Sequence, residues 1–173
     1  MKNLYLLRHA KSDWNRPAGG DFDRPLARRG LKAAPRMGQE IKRLGIAPDL
    51  ILCSSARRAG ETYQLIADCF PEKTRIEHRD DLYMASAIEL RERLRAQSDD
   101  IASVLMIGHN PGMETLAEEL AGSASLAEPR AAMKLKYPTA ALAAFELPID
   151  HWKQVKHGCG KLTLFIRPRD LEA

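Results

Sequence analysis

The sequence has few cysteines, no long apolar run and no strong excess of one charge, and each shortage excludes a class of protein. Its three cysteines, Cys53, Cys69 and Cys159, form no C-x-x-C pair, which argues against a zinc or redox motif and predicts reduced thiols. The first apolar run, Leu4 to Leu7, is far shorter than the roughly 18 residues of a membrane span or the roughly 7 of a signal-peptide core. We therefore expect a cytoplasmic protein with no membrane partner.

The charge balance is nearly even. The 27 Lys and Arg residues exceed the 23 Asp and Glu residues by only four on a chain of 173 residues. Such a mild surplus does not favour a nucleic-acid partner, although it leaves anionic substrates open. The chain length and the hydrophobic content of 45% indicate one globular domain over residues 1–173.

Short apolar runs alternate with longer helical patterns, which predicts an α/β domain. The strand candidates are residues 3–7, 50–53, 75–78, 103–107, 140–147 and 161–166. No helical pattern separates the last two strands, so we expect them to pair as an antiparallel edge, with residues 126–138 as an irregular excursion.

Three local signals mark helices. Apolar spacing predicts a helix from about Leu26 to Leu44, ending near Gly45. Ser86, followed three residues later by Glu89, has the form of a capping box. Asn110 and Pro111 resemble a helix N-cap and a first helical residue.

Several chemically active residues follow the predicted strands directly. Arg8 and His9 follow the first strand, Arg58 comes soon after the second, Asp81 after the third and His109 after the fourth. In an open α/β sheet, ligands bind at the carboxyl ends of the strands, so we expect these side chains to meet at one edge.

This set of side chains suits phosphoryl transfer. Guanidinium forks match phosphate oxygens, so Arg8 and Arg58 together with one imidazole can enclose a tetrahedral dianion. A second histidine, if it is neutral, can attack phosphorus as a nucleophile. The residues therefore predict a reaction that passes through a phosphohistidine.

Three runs also carry a resemblance to a known family. The run Leu7-Arg8-His9-Ala10 resembles the R-H-G signature of the histidine phosphatase superfamily, which includes the cofactor-dependent phosphoglycerate mutases. Residues 54–62 are similar to its signature S-x-x-x-R-A-x-x-T, and residues 104–112 are similar to its third signature. Within the superfamily, the short chain, residues 21–26 and the G-H-N-P-G run most resemble the SixA-like phosphohistidine phosphatases.

The resemblance implies a phosphoglycerate mutase-like three-layer sandwich, with a mostly parallel sheet between helices and an antiparallel edge. It implies a hydrolase with His9 as nucleophile, and Arg8, Arg58 and His109 as the other catalytic, phosphate-binding residues. Asn15 matches a further phosphate contact of the mutase branch. No metal and no cofactor are implied. The implied substrate is a phosphorylated protein, such as a histidine phosphotransfer domain, or a small phosphorylated molecule.

The sequence departs from the family pattern at two places. Ala10 replaces the glycine after the histidine, which would strain the backbone if that position needed a positive φ. Mutase-like members place a glutamate after the third strand, whereas this chain has Asp80 and Asp81 there. Asp81 is the candidate general acid, although an exposed turn carboxylate is the simpler interpretation. The missing glutamate favours cleavage of P–N bonds over P–O bonds.

Three other functions remain open. A phosphomonoesterase acting on a small metabolite would use the same residues. A metallohydrolase is weakened because no H-E-x-x-H or H-x-H pair occurs and because two arginines would repel a divalent cation. A non-catalytic phosphate-binding or nucleic-acid module would use the basic residues alone.

Overall fold

A six-stranded sheet forms the centre of the computed structural model, which describes residues 1–15 and 19–171. The strands are β1 (Lys2–Arg8), β2 (Leu50–Ser54), β3 (Arg75–Arg79), β4 (Ser103–Gly108), β5 (Leu142–Leu147) and β6 (Lys161–Ile166), in the order β3-β2-β4-β1-β5-β6. The neighbours among β1 to β4 are parallel, whereas β5 is antiparallel to β1 and β6 to β5. The predicted mostly parallel sheet with an antiparallel edge is confirmed.

Helices cover both faces of this sheet. They are α1 (Arg28–Arg43), α2 (Arg57–Ile66), α3 (Ala87–Arg95), α4 (Gly112–Leu120) and α5 (Ala127–Leu135). One buried apolar cluster joins the sheet to α1 and α2, and the other joins it to α3, α4 and α5. Within residues 1–15 and 19–171, no helix is long and apolar enough to cross a membrane.

Alternation along the strands explains why the sheet is buried on both faces. In β2, Leu50 and Leu52 belong to one apolar cluster, whereas Ile51 and Cys53 belong to the other. Successive side chains of a strand point to opposite faces, so an unbroken apolar run supplies both layers. The α/β sandwich that the resemblance implies is therefore built from these runs.

Two of the three local helix signals are confirmed. The backbone N–H of Glu89 donates to Ser86 Oγ at 3.2 Å, and the N–H of Ser86 donates back to Glu89 Oε2 at 2.8 Å. Gly45 follows α1 with φ of 71°, a conformation that favours glycine. These signals succeed because each involves groups only a few residues apart.

Two local predictions are corrected. Residues 126–138 are not an irregular excursion, because they contain α5. That helix buries only Met133 among its nine residues, so its apolar period is weak. The predicted start at Asn110 and Pro111 is also early, since α4 begins at Gly112.

Candidate active site

The carboxyl ends of β1 and β4, which are neighbours in the sheet, bring two histidines together. Arg8, the last residue of β1, lies opposite Gly108, the last residue of β4, and His9 and His109 come directly after these two strand ends. Their ring centroids are 5.1 Å apart. Arg58, in the first turn of α2, places its Nε 3.4 Å from His9 Nε2. We call the site formed by Arg8, His9, Arg58 and His109 the histidine pocket.

His9 is held as a neutral imidazole whose Nε2 carries no proton. Its Nδ1 lies 2.7 Å from the carbonyl oxygen of Ala10, and because a carbonyl only accepts hydrogen bonds, we assign the proton to Nδ1. Burial, helped by the nearby His109, Arg58 and Arg8, lowers the pKa of His9 to about 3, although the hydrogen bond to the Ala10 carbonyl opposes this shift. The lone pair therefore lies on Nε2, which accepts a hydrogen bond of 3.4 Å from Arg58 Nε and is the nitrogen that can attack an electrophile.

Arg58 is fixed by a carboxylate that lies far away in the sequence. Its Nη1 donates to the backbone oxygen of Asp21 at 2.7 Å, and its Nη2 donates to Asp21 Oδ2 at 3.1 Å. Hydrogen bonds from Tyr83 and Arg24, together with the charge of Arg58, hold the pKa of Asp21 well below its usual range. This carboxylate therefore orients a guanidinium that is only 2% exposed.

Sequence reasoning missed this role of Asp21. The run 21–26 contributed to the family resemblance, but no spacing rule predicts that Asp21 pairs with a residue 37 positions later. Tyr83 is a second residue that was missed. It donates to Asp21 Oδ2, and its ring centroid lies 5.5 Å from that of His109.

His109 is oriented by a serine, and its other nitrogen has no partner among the residues that the structure describes. Its Nε2 lies 2.8 Å from Ser54 Oγ, which also accepts the backbone N–H of Ala56 at 3.2 Å. Burial and Arg58 lower the pKa of His109 to about 4. Since Ser54 already accepts one hydrogen bond, its hydroxyl can donate to Nε2, which leaves the proton of His109 on Nδ1.

Two buried donors of the histidine pocket lack a hydrogen-bond partner among the described residues: Arg8 Nε and His109 Nδ1. Arg8 is held at another atom, since its Nη1 donates to the carbonyl of Tyr137 at 3.1 Å. A buried donor without a partner costs about 1–3 kcal/mol, and a bound oxyanion would offer acceptors for both groups. The pocket is thus built to receive an anion.

The other two predicted site residues are placed differently. Asn15 is exposed, and within the described residues no hydrogen bond joins its side chain to His9, Arg58 or His109. Asp81 forms ion pairs with Arg79 at 2.8 Å and with Arg93 at 3.2 Å.

Those two arginines lower the pKa of Asp81, with Arg79 as the main cause. The carboxyl group is therefore poorly suited to carry a proton at neutral pH. A general acid needs the opposite environment, one that raises its pKa towards the working pH.

The strain considered at Ala10 is absent. In the described residues, positive φ outside glycine occurs only at Met84 and Ala140. Ala10 is fully buried, and its N–H donates to Thr62 Oγ1 at 3.0 Å. The alanine is therefore compatible with the backbone path of the pocket.

No group of three or more His, Cys, Asp or Glu side chains in residues 1–15 and 19–171 is arranged to hold a metal ion. The guanidinium groups of Arg8 and Arg58 are instead close enough to His9 to lower its pKa. A site lined by two guanidinium groups attracts anions and repels divalent cations.

Comparisons with known proteins agree with this geometry. The sequence profile of the histidine phosphatase superfamily (branch 1) matches residues 4–83. The uncharacterized protein Rv1276c of Mycobacterium tuberculosis (strain ATCC 25618 / H37Rv) is 33% identical over 168 residues, which cover 94% of this chain and 100% of that protein.

Two solved structures are similar along almost the whole chain. A protein of Agrobacterium tumefaciens, provisionally named phosphohistidine phosphatase SixA, is 31% identical with a TM-score of 0.80, and the match covers 96% of this chain and 98% of that one. Another of the same provisional name, from Nakamurella multipartitia, is 25% identical with a TM-score of 0.83 and 96% of both chains covered. This chain therefore belongs to the histidine phosphatase superfamily and is a phosphatase whose nucleophile is a histidine.

Proposed function

We propose that His9 is this nucleophile and that the protein hydrolyses phosphohistidine on other proteins. The observation that carries the substrate class is the state of the carboxylates around Tyr83. The carboxylate of Asp21 accepts a hydrogen bond from the Tyr83 hydroxyl, which together with arginines lowers the pKa of Asp21. Asp81 lies two residues before Tyr83, and its pKa is lowered by the arginines that pair with it. Neither carboxylate is poised to protonate a leaving group.

The chemistry of the leaving group decides how much the lack of a general acid slows the reaction. An alkyl ester departs as a strongly basic alkoxide unless an acid protonates its oxygen, and such an acid typically contributes about 10²–10⁴ in rate. An imidazole that carries a proton on its second nitrogen departs as a neutral molecule. A site without a protonated carboxyl therefore suits P–N bonds better than P–O bonds.

In the first proposed step, Nε2 of His9 attacks phosphorus in line with the bond to the substrate imidazole. A new N–P bond forms, and the old N–P bond breaks with its electron pair returning to the leaving nitrogen. His9 then carries a phosphoryl group on Nε2 and a proton on Nδ1, where the Ala10 carbonyl accepts it. In the second step, water attacks phosphorus, the electron pair returns to Nε2, and phosphate leaves.

The remaining pocket residues would stabilise the phosphoryl oxygens. Arg58, Arg8 Nε and His109 Nδ1 supply fixed donors from three segments of the chain, and a donor fixed before reaction loses no energy in reorienting. We retain Asn15 as a proposed further contact, which requires its exposed side chain to turn towards the pocket.

A phosphorylated protein, such as a histidine phosphotransfer domain, is the substrate we propose. The SixA name carried by the two structural relatives supports it. The test compares kcat/KM for a phosphohistidine-bearing phosphotransfer domain, a phosphohistidine peptide and a simple alkyl phosphate. We expect the phosphohistidine substrates to exceed the alkyl ester by at least about 10².

Asp81→Asn sharpens the same experiment. If the alkyl ester is the better substrate in the parent, and Asp81→Asn removes that activity alone, the protein is a phosphomonoesterase with Asp81 as its acid. Rapid quenching with labelled phosphohistidine should also trap acid-labile label on the parent and none on His9→Ala. Label retained on His9→Ala would show that another residue is the nucleophile.

A further inference from the structure

A second concentration of positive charge lies outside the histidine pocket, in a groove of about 400 Å³. One wall is the first half of α1, which contributes Arg29, Lys32 and Arg36. Lys11 lines the same groove, two residues after His9. We call this site the basic groove.

The opposite walls are also basic. Lys136 precedes β5, and Arg167 and Arg169 follow β6. Arg167 forms an ion pair with Asp170 at 3.0 Å, whereas the six other basic residues of the groove form no ion pair within the described part of the chain. Among the described residues that line the groove there is no carboxylate, so the charge of these lining residues is almost uncompensated.

This grouping is unusual for the chain as a whole. Seven of the 27 Lys and Arg residues line the groove, which leaves 20 elsewhere against 23 Asp and Glu. Outside the groove, Asp and Glu residues therefore slightly outnumber Lys and Arg residues. A concentrated positive field of this kind raises the local concentration of anions.

The basic residues that α1 contributes to the groove repel one another and the helix dipole when no ligand is bound. Lys32 and Arg36 are four residues apart on one helix face, and like charges at this spacing repel. The first turn of α1 carries Arg29 and no acidic residue, although cations are disfavoured at the positive end of a helix dipole. An anion in the groove would relieve both repulsions.

We infer that the basic groove is a second anion site, for a small molecule that carries two or more phosphate groups. Three walls of long cationic side chains around a concave space suit a compact polyanion better than a flat protein surface. The groove offers no His or Cys nucleophile among its lining residues. It is therefore a binding site, and the inference does not depend on the proposed substrate of the histidine pocket.

The groove adjoins segments that support the histidine pocket. Lys136 and Pro138 flank Tyr137, whose carbonyl accepts hydrogen bonds from Arg8 and Asn110. Lys11 is separated from His9 only by Ala10, whose carbonyl fixes the His9 ring. A ligand in the groove would thus lie beside the backbone that holds two pocket residues.

Calorimetric titration with tripolyphosphate tests the inference. The probe is added to the parent, to Lys32→Gln/Arg36→Gln, and to Lys153→Gln/Lys156→Gln as a control with the same loss of charge on exposed residues outside the groove. Glutamine is a good helix former, so α1 should persist. We expect Kd to rise at least about tenfold in the groove variant and less than about twofold in the control, because only the first removes direct contacts.

Further titrations distinguish binding in the basic groove from binding in the histidine pocket and from docking of an acidic protein. His9→Ala should still bind tripolyphosphate, and inorganic phosphate should bind the parent much more weakly than tripolyphosphate does. Equal Kd values for the parent and the groove variant would place the probe in the histidine pocket and overturn the inference. Tighter binding of hexaglutamate than of tripolyphosphate would also overturn it, because the groove would then be a docking site for an acidic protein.

Discussion

The histidine pocket and the basic groove both collect positive charge, but they hold it in opposite ways. Arg58 in the pocket is 2% exposed and is fixed by hydrogen bonds to His9 and Asp21. Lys32 and Arg29 in the groove are exposed and make no ion pair in the described residues. Water and salt screen exposed charges, whereas buried charges are screened much less. Buried, fixed charge can therefore be aimed at a reacting group, and exposed charge can only concentrate an anion.

The largest effect that separates the two regions should come from His9→Ala. A nucleophile supplies a bond rather than a stabilising contact, so we expect no measurable turnover while the folded state survives. Steady-state assays combined with circular dichroism check this. Activity at the parental level would end the covalent mechanism.

Arg58→Lys should have the next largest effect. A lysine cannot reproduce a guanidinium that contacts His9 and Asp21 at once, and loss of one fixed donor typically costs about 10²–10³ in kcat. In the basic groove, Lys32→Arg should change the Kd for tripolyphosphate less than about threefold, because an exposed cation needs no fixed geometry. Equal sensitivity of both sites to these conservative changes would remove the distinction between them.

The pH dependence of stability should reveal the buried histidines. The folded pKa values of His9 and His109, about 3 and about 4, lie below the value of 6.5 expected in the unfolded chain. The unfolded state therefore binds more protons between these values, so the free energy of unfolding falls as the pH drops below 6.5. Between pH 6.5 and 5, each histidine should remove about 1–2 kcal/mol.

Urea denaturation of the parent and of His9→Asn/His109→Asn measures this slope. We expect the variant to lose less stability than the parent over the same interval, whatever its stability at pH 7. Parallel curves would mean that the two histidines are not held neutral by burial.

The smallest effect should come from Asp81→Asn. Because two arginines hold Asp81 as a carboxylate, the substitution should change kcat/KM for a phosphohistidine peptide less than about threefold. Asp21→Asn is the matched control, since it weakens the ion pair that orients Arg58 and should lower the same constant by about tenfold. A larger loss in Asp81→Asn than in Asp21→Asn would give Asp81 a catalytic role.

The fold was most predictable where the signal was local. The boundaries of β6 match the sequence prediction, and Ser86 and Glu89 form the expected capping box. The prediction was wrong at α5, because a helix that buries only Met133 has little apolar period to detect. Tertiary contacts, rather than pattern, stabilise such a segment.

In the candidate site, too, some features could be predicted from the sequence and others could not. The order of strands and motifs was enough to predict that His9, Arg58 and His109 meet, since strand ends in an α/β sheet share one edge. No such rule predicts that the Ser54 hydroxyl orients His109 or that Tyr83 shares Asp21 with Arg58. These contacts depend on how loops cross the sheet edge, and loop paths are not encoded in a short repeating pattern.

By itself, the sequence determined which functional groups this protein can use: histidines and arginines placed directly after apolar strands, with no matching glutamate. Only the tertiary structure decided their chemical state, because protonation depends on burial and on neighbours distant along the chain. The carbonyl of Ala10 selects the tautomer of His9, and Asp21 fixes Arg58 from 37 residues away. The basic groove likewise exists only after folding, since α1 and the residues around β5 and β6 bring their cations together in space.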